Sequence, residues 1–343
     1  MLIQLKGCKI AILHFNLLEN YPPAMNYIFD AHQVNPNVQI FVFTTQNALQ
    51  LKTPQFPNTK IYRLGVVTEN SVIRYASYFW FNFISSLRIL ALRPNFIVAF
   101  EILSLFPLWV IGLFYRCQRA HIHFHEYLSL PERQLSSVYM KLLFKIEDTL
   151  LNRYLCSHTN EDRKSLFLLD KPWLKSANIL IRPNMPPKSW WLQYGQHKRP
   201  GLSLKTKLVY VGACDCRTMF VKEILEWIAC NSDKFDLTII SQNIDLITRD
   251  LIYKYQGVNV KLLSPIDYYS LPKELVNYDI GLVLYKGVIP NHIYSVPNKV
   301  YEYLACGLRV ICDKRLISVR KLNDERIFMI DFTKLNQESC LNL

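Results

Sequence analysis

The chain has 343 residues, enough for two ordinary domains, because single hydrophobic cores stop growing at roughly 250–300 residues. Half of its residues are hydrophobic and 20% are charged, which excludes a predominantly disordered chain, and only 10 glycines argue against an extended glycine-rich phosphate loop. The net charge of +13 lies mostly in the first part, where residues 1–190 hold 20 Lys/Arg against 11 Asp/Glu; such a basic face suits anionic lipid, and no RNP, zinc-finger or helix-turn-helix signature points to nucleic acid.

Residues 8–15 (CKIAILHF) and 38–44 (VQIFVFT) are short apolar runs rich in β-branched and aromatic residues, separated by a segment that reads as a helix after Pro22 and Pro23. The alternation continues with a strand at 60–64, a helix over 71–92, a strand at 96–100, a helix over 107–117 and a strand in AHIHFH. A long helix over 136–152, the strand-like YLCS, a further helix and ILIRPN at 179–184 complete the series. The Pro-rich, charged stretch that follows reads as a linker over residues 187–206, dividing a domain at 1–186 from one at 207–343. The second domain repeats the pattern, with strands at 208–212, 236–241, 258–263, 279–285 and 308–313 and helices between them. Strands alternating with helices imply parallel sheets covered on both faces, with ligands bound outside the carboxyl ends of the strands.

Two segments raise the question of a membrane. Residues 96–115 are almost wholly apolar, but Glu101 and Pro107 divide them into a strand and a helix rather than a span. Along 72–92, Arg74, Tyr78, Asn82, Ser85 and Arg88 form a narrow polar strip, with Tyr75, Phe79, Trp80, Phe83 and Leu87 over the rest. Two readings stand: a helix buried against the sheet, and an in-plane membrane helix flanked by Lys60, Arg63 and Arg93. Residues 1–10 alternate like a strand and lack the pattern of a signal peptide, and the nine cysteines have no framework spacing, so the expectation is a cytoplasmic chain with reduced thiols. Cys214 and Cys216 form a lone C-x-C with no second pair at zinc-finger spacing.

The most informative stretch is 291–311, NHIYSVPNKVYEYLACGLRVI. Ser295, Pro297, Asn298 and Lys299 form a Ser-x-Pro-Asn-Lys loop that opens a helix, placing backbone N–H groups and an ammonium together, as a diphosphate requires. Glu302 falls three residues beyond Lys299 on nearly the same helix face, where a carboxylate can accept hydrogen bonds from a ribose diol. An ordinary loop and helix with solvated Lys and Glu has the same spacing.

VPNKVYEYLACGLRVI resembles the donor-site signature of group 1 (family four) glycosyltransferases, retaining enzymes that build bacterial capsules, lipopolysaccharides and other surface glycans. LVYVGACDCR, DIGLVLY, ILIRPNMPP and AHIHFHEY are similar to further segments of that family. The resemblance implies an α/β protein of GT-B architecture, with two Rossmann-like domains facing across a cleft, and a sugar moved with retention from a nucleotide-diphosphate donor to a glycan hydroxyl. It implies that Glu302 is the second glutamate of the family's E-x7-E motif; the first falls at Tyr294, which puts the usual contact to the transferred sugar in doubt. Lys299 and Arg217 match the basic positions facing the diphosphate, and Gly212 lets the loop approach it. His125 and Glu126 are the catalytic candidates of the first domain: His125 positions the acceptor or the transferred sugar, and Glu126 orients His125 or takes a proton from the acceptor. His121, His123 and His125 share one strand face, which fits either a three-histidine metal site or packing roles for the first two with His125 reaching the cleft. No cofactor and no metal are expected, the family working without one.

The expected partners are the nucleotide-sugar donor, a glycan or lipid-linked glycan acceptor and an anionic membrane surface, with the protein peripheral on the inner face of the cytoplasmic membrane. Two alternatives remain open. One is a catalytically degenerate GT-B subunit that binds another transferase, favoured by the roughly thirty residues left after LRVICD, fewer than the usual terminal helices need. The other is a nucleotide-sugar epimerase.

Overall fold

The computed structural model describes residues 7–46, 51–114, 119–195, 205–241, 243–257 and 259–335. Residues 196–204 of the expected linker, 115–117 of the expected third helix, and Val258 at the start of an expected strand lie outside this set. The described chain divides into two compact units, Met1–Asn184 and Met185–Leu343.

The first unit carries seven strands: β1 (Lys9–His14), β2 (Gln39–Thr44), β3 (Thr59–Arg63), β4 (Phe96–Phe100), β5 (Ala120–Phe124), β6 (Leu155–His158) and β7 (Ile179–Ile181). They form one parallel sheet in the order β3-β2-β1-β4-β5-β6-β7. Its helices are α1 (Pro22–Val34), α2 (Ser71–Leu92), α3 (Leu105–Phe114), α4 (Leu130–Gln134), α5 (Val138–Leu151) and α6 (Glu161–Asp170). One sheet face, with Ala11, Leu13, Phe43, Ile97 and Ile122, packs against apolar residues of α2, α3 and α5. The alternate residues Ile10, Ile12, Val42 and Val98 are equally buried. Both faces are therefore covered, which is why these strands read as unbroken apolar runs.

Local departures from the sequence reading have physical causes. The helix expected over 136–152 is α5, capped by Ser137, and it is preceded by a short helix the sequence reading did not contain, α4, which starts at a capping box of Ser129 and Glu132. Within 96–115 the strand and helix are as expected, α3 having only ten residues, and among the described residues no helix is long and apolar enough to cross a membrane. The helix α2 has its predicted limits, and it departs from the first of its two readings in that the aromatic face is not the one packed on the sheet. Ser77, Phe81, Asn82, Ser85, Ser86 and Ile89 face inward, while Tyr75, Phe79, Trp80, Phe83 and Leu87 are exposed. Small residues permit a close approach: Ser77 Oγ accepts from the Val66 N–H (3.2 Å), and a β-carbon on Gly65 would lie 3.0 Å from the Ser77 carbonyl oxygen.

The second unit has six strands: β8 (Thr206–Val211), β9 (Phe235–Ile240), β10 (Val260–Leu263), β11 (Ile280–Val283), β12 (Arg309–Asp313) and β13 (Ile327–Ile330). They too are parallel, in the order β10-β9-β8-β11-β12-β13. The helices are α7 (Lys188–Tyr194), α8 (Val221–Cys230), α9 (Leu246–Tyr255), α10 (Leu271–Leu275), α11 (Pro290–Ile293), α12 (Asn298–Ala305) and α13 (Ile317–Arg320). One sheet face is covered by α8 and α9, the other by α10 and α12. Part of the stretch read as linker is the helix α7, whose Trp190 is buried in the second core. The strand β13 and the four-residue α13 escaped the sequence reading because IFMI is short, half-buried and preceded by a polar turn.

Candidate functional site

In each sheet the strand order reverses beside the first strand of the unit, between β1 and β4 and between β8 and β11. Such switch points open a crevice at the carboxyl ends of the strands, where doubly wound folds bind ligands. A cluster of polar and charged side chains occupies each one.

In the second unit, β8 runs out at Val211 into Gly212, whose φ of +121° is strained for any residue with a β-carbon. Beside it is Lys299, second residue of α12. The Lys299 ammonium lies over the rings of Tyr210 (4.3 Å) and Tyr285 (5.2 Å) and donates to Tyr210 Oη (3.2 Å). Burial pushes that ammonium down to about 8, with Glu302 the main opposing charge. Glu302, only 6% exposed, is pushed up to about 7 by burial against the pull of Lys299. Its carboxyl makes no hydrogen bond to the described residues. A half-buried cation and a buried carboxylate thus stand on adjacent turns of one helix, incompletely satisfied by the protein, as in sites that wait for a polar ligand.

The placement of α12 depends on Tyr303. Its hydroxyl accepts from the Val211 N–H (3.0 Å) and donates to the Leu282 carbonyl (3.4 Å), tying the helix to the ends of β8 and β11. Its ring fills the space over Gly281, where a β-carbon would come within 2.1 Å of Cδ2. At the amino end of α12, Pro297 occupies the cap position without a side-chain cap, and Asn298 Oδ1 is buried without a partner. The first-turn N–H groups therefore present their partial positive charge beside Lys299. Ser295 is buried and its hydroxyl donates to the His292 carbonyl (2.9 Å), fixing the loop, while the His292 ring stacks on Tyr285 at 4.8 Å. Tyr294, at the position of the expected first glutamate, ends the short α11.

Gly212, Asn298, Lys299 and Glu302 are brought together in this way. Arg217 is placed differently: its side chain is 84% exposed and leans on Asp215, at 3.4 Å. Tyr210, Tyr285 and Tyr303 were missed in the sequence. Their only signal was a tyrosine near the end of β8, just after β11, and in α12.

In the first unit the cluster is built around Glu101, which follows β4 with a φ of +63°. Glu101 Oε1 accepts from the backbone N–H groups of His125 (2.5 Å) and Glu126 (3.3 Å) and from the Tyr21 hydroxyl (3.0 Å). Burial, reinforced by the neighbouring Glu126 charge, pushes its carboxyl up to about 8. The His125 ring is hydrogen-bonded through Nδ1 to Asn184 and its carbonyl accepts from Arg163. Burial and the Arg163 charge push His125 down to about 4, so the ring is neutral at physiological pH. With the Asn184 amide assigned as donor to Nδ1, the ring proton sits on Nε2, leaving an N–H to offer a ligand. Glu126 is exposed, and the ring's hydrogen-bond partner is Asn184. Tyr21 stacks on the buried His14 at 4.0 Å and meets His125 edge-on at 5.5 Å.

The other two histidines of that strand are packing residues: His123 is buried, with Nδ1 against Ser157 Oγ (2.8 Å), and His121 Nε2 is buried without a partner. Among the described residues no group of three His, Cys, Asp or Glu side chains is placed to hold a metal ion. Sequence reasoning missed Glu101 as a site residue, although an acid directly after the strand FIVAF stands at the carboxyl end beside the switch point. Asn184, Tyr21 and Arg163 gave no such signal.

No family model and no curated protein matches the chain. Solved structures do match it in fold along nearly its whole length. A trehalose-6-phosphate structure from E. coli, bound with UDP-2-fluoro glucose, has a TM-score of 0.66 at 14% identity, covering 96% of this chain and 89% of that one. Sucrose-phosphate synthase from Thermosynechococcus elongatus gives 0.66 at 14% identity, covering 96% and 87%. Anabaena HepE, in complex with UDP, gives 0.63 at 11% identity, covering 96% and 89%. At these identities the likeness is one of fold: the chain has the two-domain GT-B fold.

Proposed function

We propose that the chain is a glycosyltransferase that takes a sugar from a nucleotide-diphosphate donor and passes it to a glycan hydroxyl. The observation that carries this reading is the pairing of Lys299 and Glu302 on α12 at the switch point of the second sheet, with Gly212 opposite the ammonium. Structures of the same fold that hold UDP or a UDP-sugar analogue support a nucleotide as the ligand.

In this reading the diphosphate lies over Gly212, against the Lys299 ammonium and the uncapped amino end of α12. As the bond between the sugar and the diphosphate lengthens, negative charge grows on the leaving oxygens. Donors fixed in place before the reaction stabilise that charge without reorganisation. Lys299 supplies the positive charge itself, so the reading needs no resident metal. Glu302 accepts from the ribose hydroxyls, which replaces the solvation its carboxylate lost on burial. The sugar passes through an oxocarbenium-like state. Neutral His125 offers its Nε2–H to a sugar hydroxyl, and retention places the incoming acceptor on the face the diphosphate leaves. Arg217, exposed and paired with Asp215, adds a second positive charge for the diphosphate.

The acceptor side belongs to the first unit, whose basic charge and exposed aromatic helix suit a lipid-linked glycan of a surface polysaccharide at the inner face of the cytoplasmic membrane. The test is thermal unfolding with a panel of uridine, guanosine and other nucleoside diphosphates. A ligand that binds only the native state at a concentration of 100 Kd stabilises it by about 2.7 kcal/mol. One member of the panel is expected to raise the unfolding temperature, and Lys299→Ala and Glu302→Ala in folded protein are expected to abolish both that rise and transfer. No response to any nucleotide would reject the reading in favour of a degenerate subunit.

A further inference from the structure

The outward face of α2 borders a cavity of ≈ 610 Å³, enclosed with α3 and Tyr139 of α5. That volume falls within the roughly 300–1,000 Å³ of small-molecule sites. Its walls include Tyr75, Phe79, Phe83 and Leu87 from α2 and Phe106 and Phe114 from α3. The wall has few polar groups: Asn82 Nδ2 donates to Tyr139 Oη (3.0 Å), Ser86 Oγ donates to the Asn82 carbonyl (2.6 Å), and Asn82 Oδ1 is buried without a partner. Water finds few partners in such a space, whereas hydrocarbon fits it. The mouth is as apolar as the interior, with Phe79 at 70% and Phe114 at 75% exposure. Trp80, Leu113, Val138 and Leu142 extend that apolar surface beyond the cavity. A free amphiphile would fill the cavity and leave this rim in water; a bilayer covers both.

Charge identifies the kind of bilayer. α2 carries Arg74 and Arg88, α5 carries Lys141 and Lys145 over its first two turns, and neither stretch, nor α3, has an acidic residue. The Arg74 guanidinium lies over the ring of Tyr75, a wall residue, at 5.8 Å, so one cation stands at the rim itself.

We infer that this cavity takes one hydrocarbon chain of an anionic membrane lipid, whose headgroup meets Arg74 at the rim, the other basic residues of α2 and α5 adding to the attraction of the surface. The inference deepens the membrane-surface part of the proposed function and is independent of the donor site.

The test uses the full chain with Trp80→Phe, which leaves Trp109 as the nearest indole reporter, its ring 5.7 Å from that of the wall residue Phe106. Vesicles of phosphatidylglycerol with bromines on the acyl chains are expected to quench its emission, whereas unbrominated ones, and phosphatidylcholine vesicles brominated in the same way, are expected to leave it unchanged. Removing Arg74 or Lys141 should weaken vesicle binding about fivefold each. Ser86→Phe fills the cavity, and Phe83→Asp places a charge at its mouth on an exposed position that folding tolerates. Each is expected to lose the bromine-dependent quenching. Quenching undiminished in both variants, equal quenching by phosphatidylcholine, or self-association of the protein through this face in sedimentation would overturn the inference. Nucleoside-diphosphate stabilisation is measured on the same samples: nucleotide binding without chain-dependent quenching sinks the lipid site alone, and the reverse result sinks the transfer reading alone.

Discussion

The Lys299 ammonium stands 3.1 Å from where a β-carbon on Gly212 would be. Glycine is required there twice, once for the left-handed backbone and once for the space. Gly212→Ala is expected to cost about 1–3 kcal/mol of stability through backbone strain. It should also lower nucleoside-diphosphate affinity by about tenfold, since ~1.4 kcal/mol of displaced contact has that effect. Calorimetric titration beside chemical unfolding separates the two losses.

Nucleotide affinity should depend on pH through Lys299. Its ammonium, lowered by burial, loses its proton as pH rises through about 8, so the free protein above that pH offers the diphosphate a neutral amine. Affinity is expected to fall by about tenfold per unit well above that value. Glu302 acts on stability in the opposite sense from an ordinary paired acid. Its folded-state value lies above the unfolded one, so the stability it contributes is present at low pH and lost as pH rises through about 7. Glu302→Gln should therefore raise the unfolding temperature at pH 8 while removing nucleotide stabilisation; a lower unfolding temperature at that pH would contradict the assignment.

Asn184 holds the His125 ring through an uncharged amide. In Asn184→Asp the carboxylate favours the imidazolium, and the His125 titration followed by NMR should move upward from about 4. His125→Ala is expected to slow transfer by about 100-fold, the lower range for proton-handling groups, with nucleotide stabilisation unchanged.

Glu101 anchors three donors at one oxygen. Glu101→Ala leaves the N–H groups of His125 and Glu126 and the Tyr21 hydroxyl without that acceptor, at a cost of about 1–3 kcal/mol for each group that water does not reach. Glu101→Gln keeps an acceptor oxygen and should recover most of the loss. Urea unfolding of the pair of variants checks this, and equal loss in both would show that the charge, rather than the oxygen, is what matters.

Gly281→Ala drives a methyl group into the Tyr303 ring and should destabilise the second unit by about 3 kcal/mol, the upper end for overpacking. Adding Tyr303→Leu should restore part of that stability but not nucleotide binding, because the hydroxyl that holds Val211 is gone.

The alternation of strands and helices was legible from β1 to β12, apart from the short α4 and α7, because buried parallel strands leave unbroken apolar runs between helical stretches. Within the candidate site, Lys299 and Glu302 were legible because they stand three residues apart on one helix, a relationship that sequence displays directly. Lys299 meets Tyr210 across 89 positions of chain and Tyr303 meets Val211 across 92, and nothing local marks either contact. Glu101 reads as an interruption in an apolar stretch, and only the strand order turns it into the centre of a cluster. The orientation of α2 ran against its pattern: hydrophobicity alone buries Phe79 and Phe83, whereas the close approach of Ser77 to Gly65 selects the small face.

The contacts described around Lys299 all come from residues 185–343, and those around His125 all from residues 1–184. Each half thus builds its own polar cluster on its own core. Evolution can alter what one half accepts without renegotiating the other, and exchanging halves between proteins of this fold is a practical route to new pairings of substrates.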